Sequence, residues 1–209
     1  MTFRRYLDSD DLKMNTAVIA CEPIEEGRYH VLLEATLFHP QGGGQPADIG
    51  TIGDAQVLNV IQDESGIVHI TDRPVNRGMA AIAVEAENRQ MNTRMHSAGH
   101  LIGYVGEQAG WKAVKANHRP GEGRVVFDAA DNGTPLTVTD FNAQVNHLVN
   151  SKLLRHQYME GETRKVTWGD LPPYACGGTH VASTEETGTV EITAVKLKKG
   201  ALSVSYTLS

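Results

Sequence analysis

The sequence predicts an α+β protein: a small antiparallel, β-barrel-like domain at the N-terminal end, followed by an α+β domain in which helices pack on an antiparallel sheet. Three observations carry this reading. Short β-rich runs separated by polar turns occupy Thr16 to Val84, the apolar period changes from two to three or four near Asn88, and β-rich runs return from Thr163 onward.

Taken in order, TAVIACEPI from Thr16, RYHVLLEATLF from Arg28, AQVLNVIQ from Ala55, GIVHITD from Gly66 and MAAIAVEA from Met79 each read as a strand. The breaks at Glu25-Glu26-Gly27, Asp63-Glu64-Ser65-Gly66 and Asn76-Arg77-Gly78 are polar turns in which glycine supplies positive φ. Beyond Asn88, the spacing of Met91, Met95, Ala98, Leu101 or Ile102, Val105 and Ala109 predicts an amphipathic helix that stops at Gly110. GRVVFDA from Gly123 then reads as a strand. Asp140 is placed to cap a second helix whose buried stripe is Phe141, Val145, Leu148, Val149 and Leu153, with His147 and His156 on it and Gly161 just past its end. TRKVTW, TVEITAVKLKKG and ALSVSYTL complete the chain as strands, with a tight hairpin turn at Lys198 to Ala201. The domain boundary falls near residue 88, giving 1–88 and 89–209.

With 209 residues, 40% of them apolar, the chain can bury a substantial core. A formal net charge of −6 argues against a protein that coats nucleic acid by bulk attraction. Local basic groups do exist: Arg4 with Arg5, Lys112 with Lys115, His118 and Arg119, Lys152 with Arg155, Arg164 with Lys165, and Lys196 with Lys198 and Lys199. No apolar run reaches the length of about 18 residues that spans a bilayer, and the first residues lack the apolar core of a secretory signal. A cytoplasmic protein with no membrane partner is the expectation, its two cysteines, Cys21 and Cys176, reduced. Oligomeric state is not legible.

The chemistry concentrates in two pairs. His96 and His100 are four apart on the first predicted helix, so both imidazoles project from one face. Cys176 and His180 have the same spacing, but the two glycines of CGGTH and the preceding Leu171-Pro172-Pro173 predict a loop. Three imidazoles and one thiolate suit Zn2+, which prefers tetrahedral nitrogen and sulfur donors. Because the pairs are far apart in sequence, the ion would join elements of a domain that has its own core, which favours a functional ion over a purely structural one. A catalytic ion needs one exchangeable position, and His180 is the ligand expected to give way. HSAGH has no glutamate, so the HExxH protease arrangement is absent, as is the HxE and PCxxC pattern of zinc deaminases.

RMHSAGHLI and CGGTHV resemble the two signatures of the alanyl-tRNA synthetase editing domain and of its freestanding AlaX-type relatives. FHPQGGGQPADIGTI, from Phe38, is similar to the glycine-rich segment of the medium-length freestanding members, and TGTVEITAVKLKKGALSVSY to the family's closing strands. The resemblance implies that 89–209 is a zinc-containing editing domain and that His96, His100, Cys176 and His180 are its metal ligands. It also implies editing in trans: hydrolysis of the ester that joins serine, and sometimes glycine, to tRNA(Ala). Where the synthetase signature often has threonine before the second histidine, this chain has Gly99.

Such a site must orient a water, stabilise an oxyanion and reject correctly charged tRNA. Alanine is smaller than serine, so the selective element has to read a hydroxyl rather than a size. Gln45, Thr179, Gly99 and the backbone of Gly42, Gly43 and Gly44 are the expected pocket. Arg4, Lys112, Lys115, Arg119 and Lys196 are the candidate phosphate contacts of the mischarged tRNA. Two alternatives stay open: a zinc-dependent tRNA-binding module without catalysis, and a zinc hydrolase for a small ester or amide.

Overall fold

The computed structural model describes residues 2–129 and 133–209. Met1 and residues 130–132, which fall inside the expected domains 1–88 and 89–209, lie outside the described residues. The chain divides into two compact units, one made of the residues up to Gly42 together with Pro46–Gln90, the other of Gly43–Gln45 together with Met91–Ser209. Among the described residues no helix is long and apolar enough to cross a membrane.

The first unit contains β1 (Phe3–Arg4), β2 (Lys13–Pro23), β3 (Tyr29–Leu33), β4 (Ala35–Thr36), β5 (Gly50–Ile52), β6 (Ala55–Asp63), β7 (Gly66–Thr71) and β8 (Gly78–Val84). β1 and β4 form a short parallel pair, and the other six close on themselves in the order β2-β3-β7-β6-β5-β8, every pairing antiparallel. Closure leaves no strand edge open. Alternation along the strands sends Val18, Val31, Leu33, Val57, Val60, Ile67 and Ile82 inward, where they pack with Phe38 and Leu37.

A buried histidine lies against this apolar set. His69 is fully buried, with Nδ1 3.1 Å from the Val31 carbonyl and Nε2 2.8 Å from Thr36 Oγ1. The carbonyl can only accept, so Nδ1 carries the proton and Nε2 accepts from the threonine hydroxyl, which itself accepts from the Phe38 amide at 3.1 Å. Burial, only partly opposed by the Val31 bond, lowers the His69 pKa to about 4 from 6.5. The unfolded chain therefore binds a proton between those values that the folded chain refuses. The contribution is fully present above pH 6.5 and is lost as pH falls toward 4, amounting to roughly 3 kcal/mol. Urea titrations at a series of pH values in this window are expected to show a shallower acid-side slope for His69→Gln than for wild type; equal slopes would contradict the assignment.

The second unit contains most of α1 (Ala86–Gln108), then β9 (Trp111–Asn117), β10 (Arg124–Ala129), α2 (Val138–Asn150), β11 (Arg155–Glu160), β12 (Thr163–Trp168), β13 (Tyr174–Ala175), β14 (Val190–Lys198) and β15 (Ala201–Leu208). β14-β15-β10-β9 is one antiparallel sheet, and β11-β12-β13 a smaller one. Its core takes Met95, Ala98, Leu101, Ile102 and Val105 from α1, Phe141, Val145 and Val149 from α2, and Phe127, Ile192, Leu202 and Val204 from the sheet. The middle of the stripe expected on the first helix, Met95 to Val105, is thus buried, whereas Met91 is exposed and Ala109 half-buried. On α2, Asn142 and Asn146 share one face and bond the open edge of β14: Asn146 Oδ1 accepts from the Val190 amide (2.9 Å), and Asn142 Oδ1 from that of Ile192 (2.9 Å).

Two expectations for the second helix are corrected. Its cap is Thr137, not Asp140; the Thr137 hydroxyl accepts from the Asp140 amide, and the Asp140 carboxylate returns a bond to the Thr137 amide at 2.8 Å, a reciprocal capping box. The helix ends at Asn150, so neither Leu153 nor His156 is on it. Residues from Arg155 pair with β12, and Gly161, expected at the helix end, sits at φ 61° in the β11–β12 turn. The turn at Lys198 to Ala201 is the tight hairpin expected, with Lys199 and Gly200 both at positive φ (51° and 80°).

Candidate metal centre

Helix α1 presents His96 and His100 one turn apart, and the loop after β13 brings Cys176 and His180 against them. One donor atom from each of the four lies within 4.8 Å of every other. Cys176 Sγ is 3.5 Å from His96 Nε2 and 3.2 Å from His180 Nε2. Around a tetrahedral zinc with Zn–N of about 2.05 Å and Zn–S of about 2.3 Å, sulfur and nitrogen ligands sit about 3.5 Å apart. The donor set and its spacing fit that ion.

Neighbouring bonds fix the donors' tautomers. Gln45 Oε1 accepts the Thr179 amide at 3.0 Å, so its oxygen faces inward and also accepts His96 Nδ1–H at 2.7 Å, leaving the His96 Nε2 lone pair for the cluster. Ser97 Oγ donates its one proton to the Thr93 carbonyl at 2.8 Å and accepts from His180 Nδ1–H at 3.1 Å, so His180 Nε2 is likewise aimed inward. His100 has a buried Nδ1 without a hydrogen-bond partner, the kind of orphan that a bound cation would explain.

The electrostatics agree. Burial first, then electrostatic repulsion from the direction of His118 and Arg164, lowers the His100 pKa to about 3. Burial, with His100 and Arg164 next, holds His180 well below the usual histidine range. Both imidazoles are neutral, as metal ligands must be. Burial raises the Cys176 thiol despite the opposing Gly178 amide and Arg164 charge, so a cation is what would make it a thiolate. His180, the ligand expected to be exchangeable, is buried and anchored; the exposure lies at His100 and Cys176.

The ligand loop is gripped by two arginines of the β11–β12 hairpin, which in sequence had only marked basic clusters. Arg164 Nη1 donates to the carbonyls of Cys176 (3.0 Å) and Gly178 (2.9 Å), and Arg155 Nη1 donates to that of His180. Trp168 Nε1 bonds the Val181 carbonyl at 3.0 Å. With four carbonyls fixed, the loop can deliver thiol and imidazole together.

Of the expected pocket residues, Gln45 and Thr179 join the centre directly. Gln45 Nε2 donates to Thr179 Oγ1 (2.9 Å), which lies 2.6 Å from Thr93 Oγ1. Gly43 and Gly44, at φ 57° and 81°, turn the chain to deliver Gln45, and the Gly44 carbonyl accepts from the His118 amide at 2.8 Å. Gly42 belongs to the other unit and is exposed. Gly99 opens no space: a Cβ there would stand 2.2 Å from His118 Cε1, so that imidazole fills the room a threonine would take. A Cβ on Gly178 would similarly stand 2.2 Å from His96. The His118 ring stacks on that of His96, centroids 4.3 Å apart at 23°.

Sequence reasoning missed Thr93, Ser97 and Tyr206. The first two could have been found, since 93, 96, 97 and 100 lie on one helical face. The candidate phosphate contacts come from separate elements. Lys112 and Lys115 are exposed on β9 with Arg119 just beyond, Lys196 is on β14 at the opposite edge of that sheet, and Arg4 is in the other unit.

The chain is 29% identical over 184 residues to AlaX-M, an alanyl-tRNA editing protein of Pyrococcus horikoshii, covering 82% of this chain and 81% of that one. This chain is similar to the alanyl-tRNA editing proteins. An alanyl-tRNA editing protein of Bos taurus is 28% identical over 230 residues, 92% of this chain and 51% of its own length. The alanine–tRNA ligase of Halobacterium salinarum is 29% identical over 195 residues, and there this chain spans only 21% of the relative. No family model matches. The AlaX-type resemblance thus extends over most of the chain.

Proposed function

We propose that this chain is a trans-editing hydrolase that deacylates tRNA(Ala) mischarged with serine, and also with glycine, at a zinc centre formed by His96, His100, Cys176 and His180. The observation that carries it is the set of four donors within 4.8 Å, two of them locked by neighbours into the tautomer that offers a lone pair. Similarity to editing proteins supplies the reaction class. Zinc bound there would supply Lewis acidity and a template for the ester or its amino group.

The chain's own residues orient and select. Gln45 spends its oxygen on His96 and on the Thr179 amide, so it positions a ligand and joins the selectivity network through its amide nitrogen. The Thr93 and Thr179 hydroxyls, 2.6 Å apart, are the side chains suited to reading a substrate hydroxyl, which distinguishes serine from alanine where size cannot. Lys112, Lys115 and Arg119 are the proposed contacts to tRNA phosphates.

The test incubates the protein with Ser-, Gly- and Ala-tRNA(Ala), with and without a chelator. Chelator-sensitive release of serine and glycine but not alanine is the expected result. Retention of all three esters beside measurable tRNA affinity would favour a binding module. Hydrolysis of simple esters alone would favour a small-ester hydrolase.

A further inference from the structure

His118 is 3% exposed and lies face to face with the ligand His96, yet it is outside the four-donor cluster. Its place depends on absent side chains. A Cβ on Gly99 would meet Cε1 at 2.2 Å, and one on Gly44 would meet Cδ2 at 3.1 Å, so the Nε2 between these carbons sits at the edge bounded by the two glycines.

Its protonation pattern follows from its partner. Tyr206 has one hydroxyl proton and donates it to the Met95 carbonyl at 2.9 Å, which cannot donate in return. In the 2.7 Å contact with His118 Nδ1 the tyrosine oxygen must therefore accept. Nδ1 carries the hydrogen and Nε2 the lone pair. Among the described residues Nε2 has no hydrogen-bond partner, and unlike His100 Nδ1 it is not sealed from solvent. A ring this buried, held by a tyrosine and exposing only an acceptor beside the metal centre, is built to receive a donor.

We propose that His118 Nε2 is a substrate-binding acceptor, taking a hydrogen bond from the α-ammonium group or side-chain hydroxyl of the aminoacyl moiety, with Tyr206 as the positioning residue that fixes its tautomer. This rests on the editing reading for the identity of the ligand. It also gives Gly99 a function: the glycine makes room for a hydrogen-bonding ring.

The experiment uses the purified protein with the metal it retains, and the seryl and glycyl amides of 3′-amino-3′-deoxyadenosine as non-hydrolysable probes. Two-bond proton–nitrogen spectra of the wild type are expected to show His118 protonated at Nδ1, with the Nε2 signal moving when an amide is added. His118→Met should weaken amide binding about tenfold, as for a lost buried partner, with metal content unchanged. Loss for both amides points to the ammonium; loss for the seryl amide alone points to the hydroxyl. His118→Gln, which can place an amide oxygen near the Nε2 position, should recover most of the affinity. Tyr206→Phe should let the Nε2–H tautomer appear and weaken binding about threefold.

An Nε2 signal that neither amide moves, or wild-type affinity in His118→Met, overturns the proposal, and the wild-type spectra decide even if a variant fails to fold. A protein that binds the amides through His118 but deacylates no tRNA leaves this proposal standing and removes the hydrolase reading. Deacylation that is indifferent to His118 does the reverse.

Discussion

Replacing Cys176 with alanine is expected to empty the centre of its metal and to lower Ser-tRNA(Ala) hydrolysis by about 100-fold or more, since it removes a ligand outright instead of a supporting bond. Cys176 is the only sulfur in the cluster, and its Sγ is the atom within 3.5 Å of both His96 and His180 Nε2. Without it, three imidazoles remain with no anionic donor. Gln45→Leu provides the graded comparison. It spares every ligand but removes the acceptor that fixes the His96 tautomer, so metal affinity should fall about 10- to 100-fold while saturating zinc restores occupancy. Metal content after dialysis, read by atomic emission beside the deacylation rate, checks both. A Cys176→Ala protein that keeps one tightly held ion per chain would refute the ligand assignment.

That the four donors could be read from sequence follows from local geometry. His96 and His100 needed only helical periodicity, and α1 has it in full, from Met95 through Val105. Cys176 and His180 needed only the recognition that Pro172-Pro173 and two glycines forbid a helix. Gln45, 51 residues before His96, is expected from the resemblance of its glycine-rich segment, and its hydrogen bond to His96 brings it to the same place. His118 and Tyr206 had no such signal. They are 88 residues apart, and the fit between them depends on a missing Cβ at Gly99, which appears in sequence only as a departure from a signature.

The misread strands have equally specific causes. In β9, WKAVKAN does not alternate cleanly because Val126 pairs with Lys115 while Phe127 pairs with Ala113, leaving Val114 as the extra residue of a bulge. β5 has three residues, too few to show a period. In β11, Arg155–Glu160 reads RHQYME, rich in good helix formers, and pairing with β12 overrides that weak local preference. Lys152, at φ 53°, marks the break that separates it from α2.

Removing one partner of the Asp48–Arg89 pair is expected to be the most destabilising polar substitution in the first unit. The carboxylate side chain is 0% exposed and the guanidinium 8%. Asp48 Oδ2 accepts from Arg89 Nη2 at 2.5 Å, from Arg89 Nε at 3.1 Å and from the His39 amide at 2.6 Å; Oδ1 accepts from Nε at 3.1 Å, and Arg89 Nη2 also reaches the Leu37 carbonyl at 2.5 Å. Each charge is thus desolvated and held by the other, in a geometry where both carboxylate oxygens are used. Arg89→Met leaves a buried carboxylate with only the His39 amide for compensation, and Asp48→Leu leaves a buried cation on one carbonyl. Either should lower unfolding free energy by about 3–5 kcal/mol, a large part of what a domain possesses. The cost belongs to the unpaired charge more than to the lost attraction, so the double variant Asp48→Leu with Arg89→Met should be less destabilised than the sum of the singles, and closer to wild type than either. Urea denaturation of the four proteins at pH 7 measures this coupling. Strictly additive losses would mean that the two side chains are stabilised separately, by Leu37 and His39, and that their pairing contributes nothing.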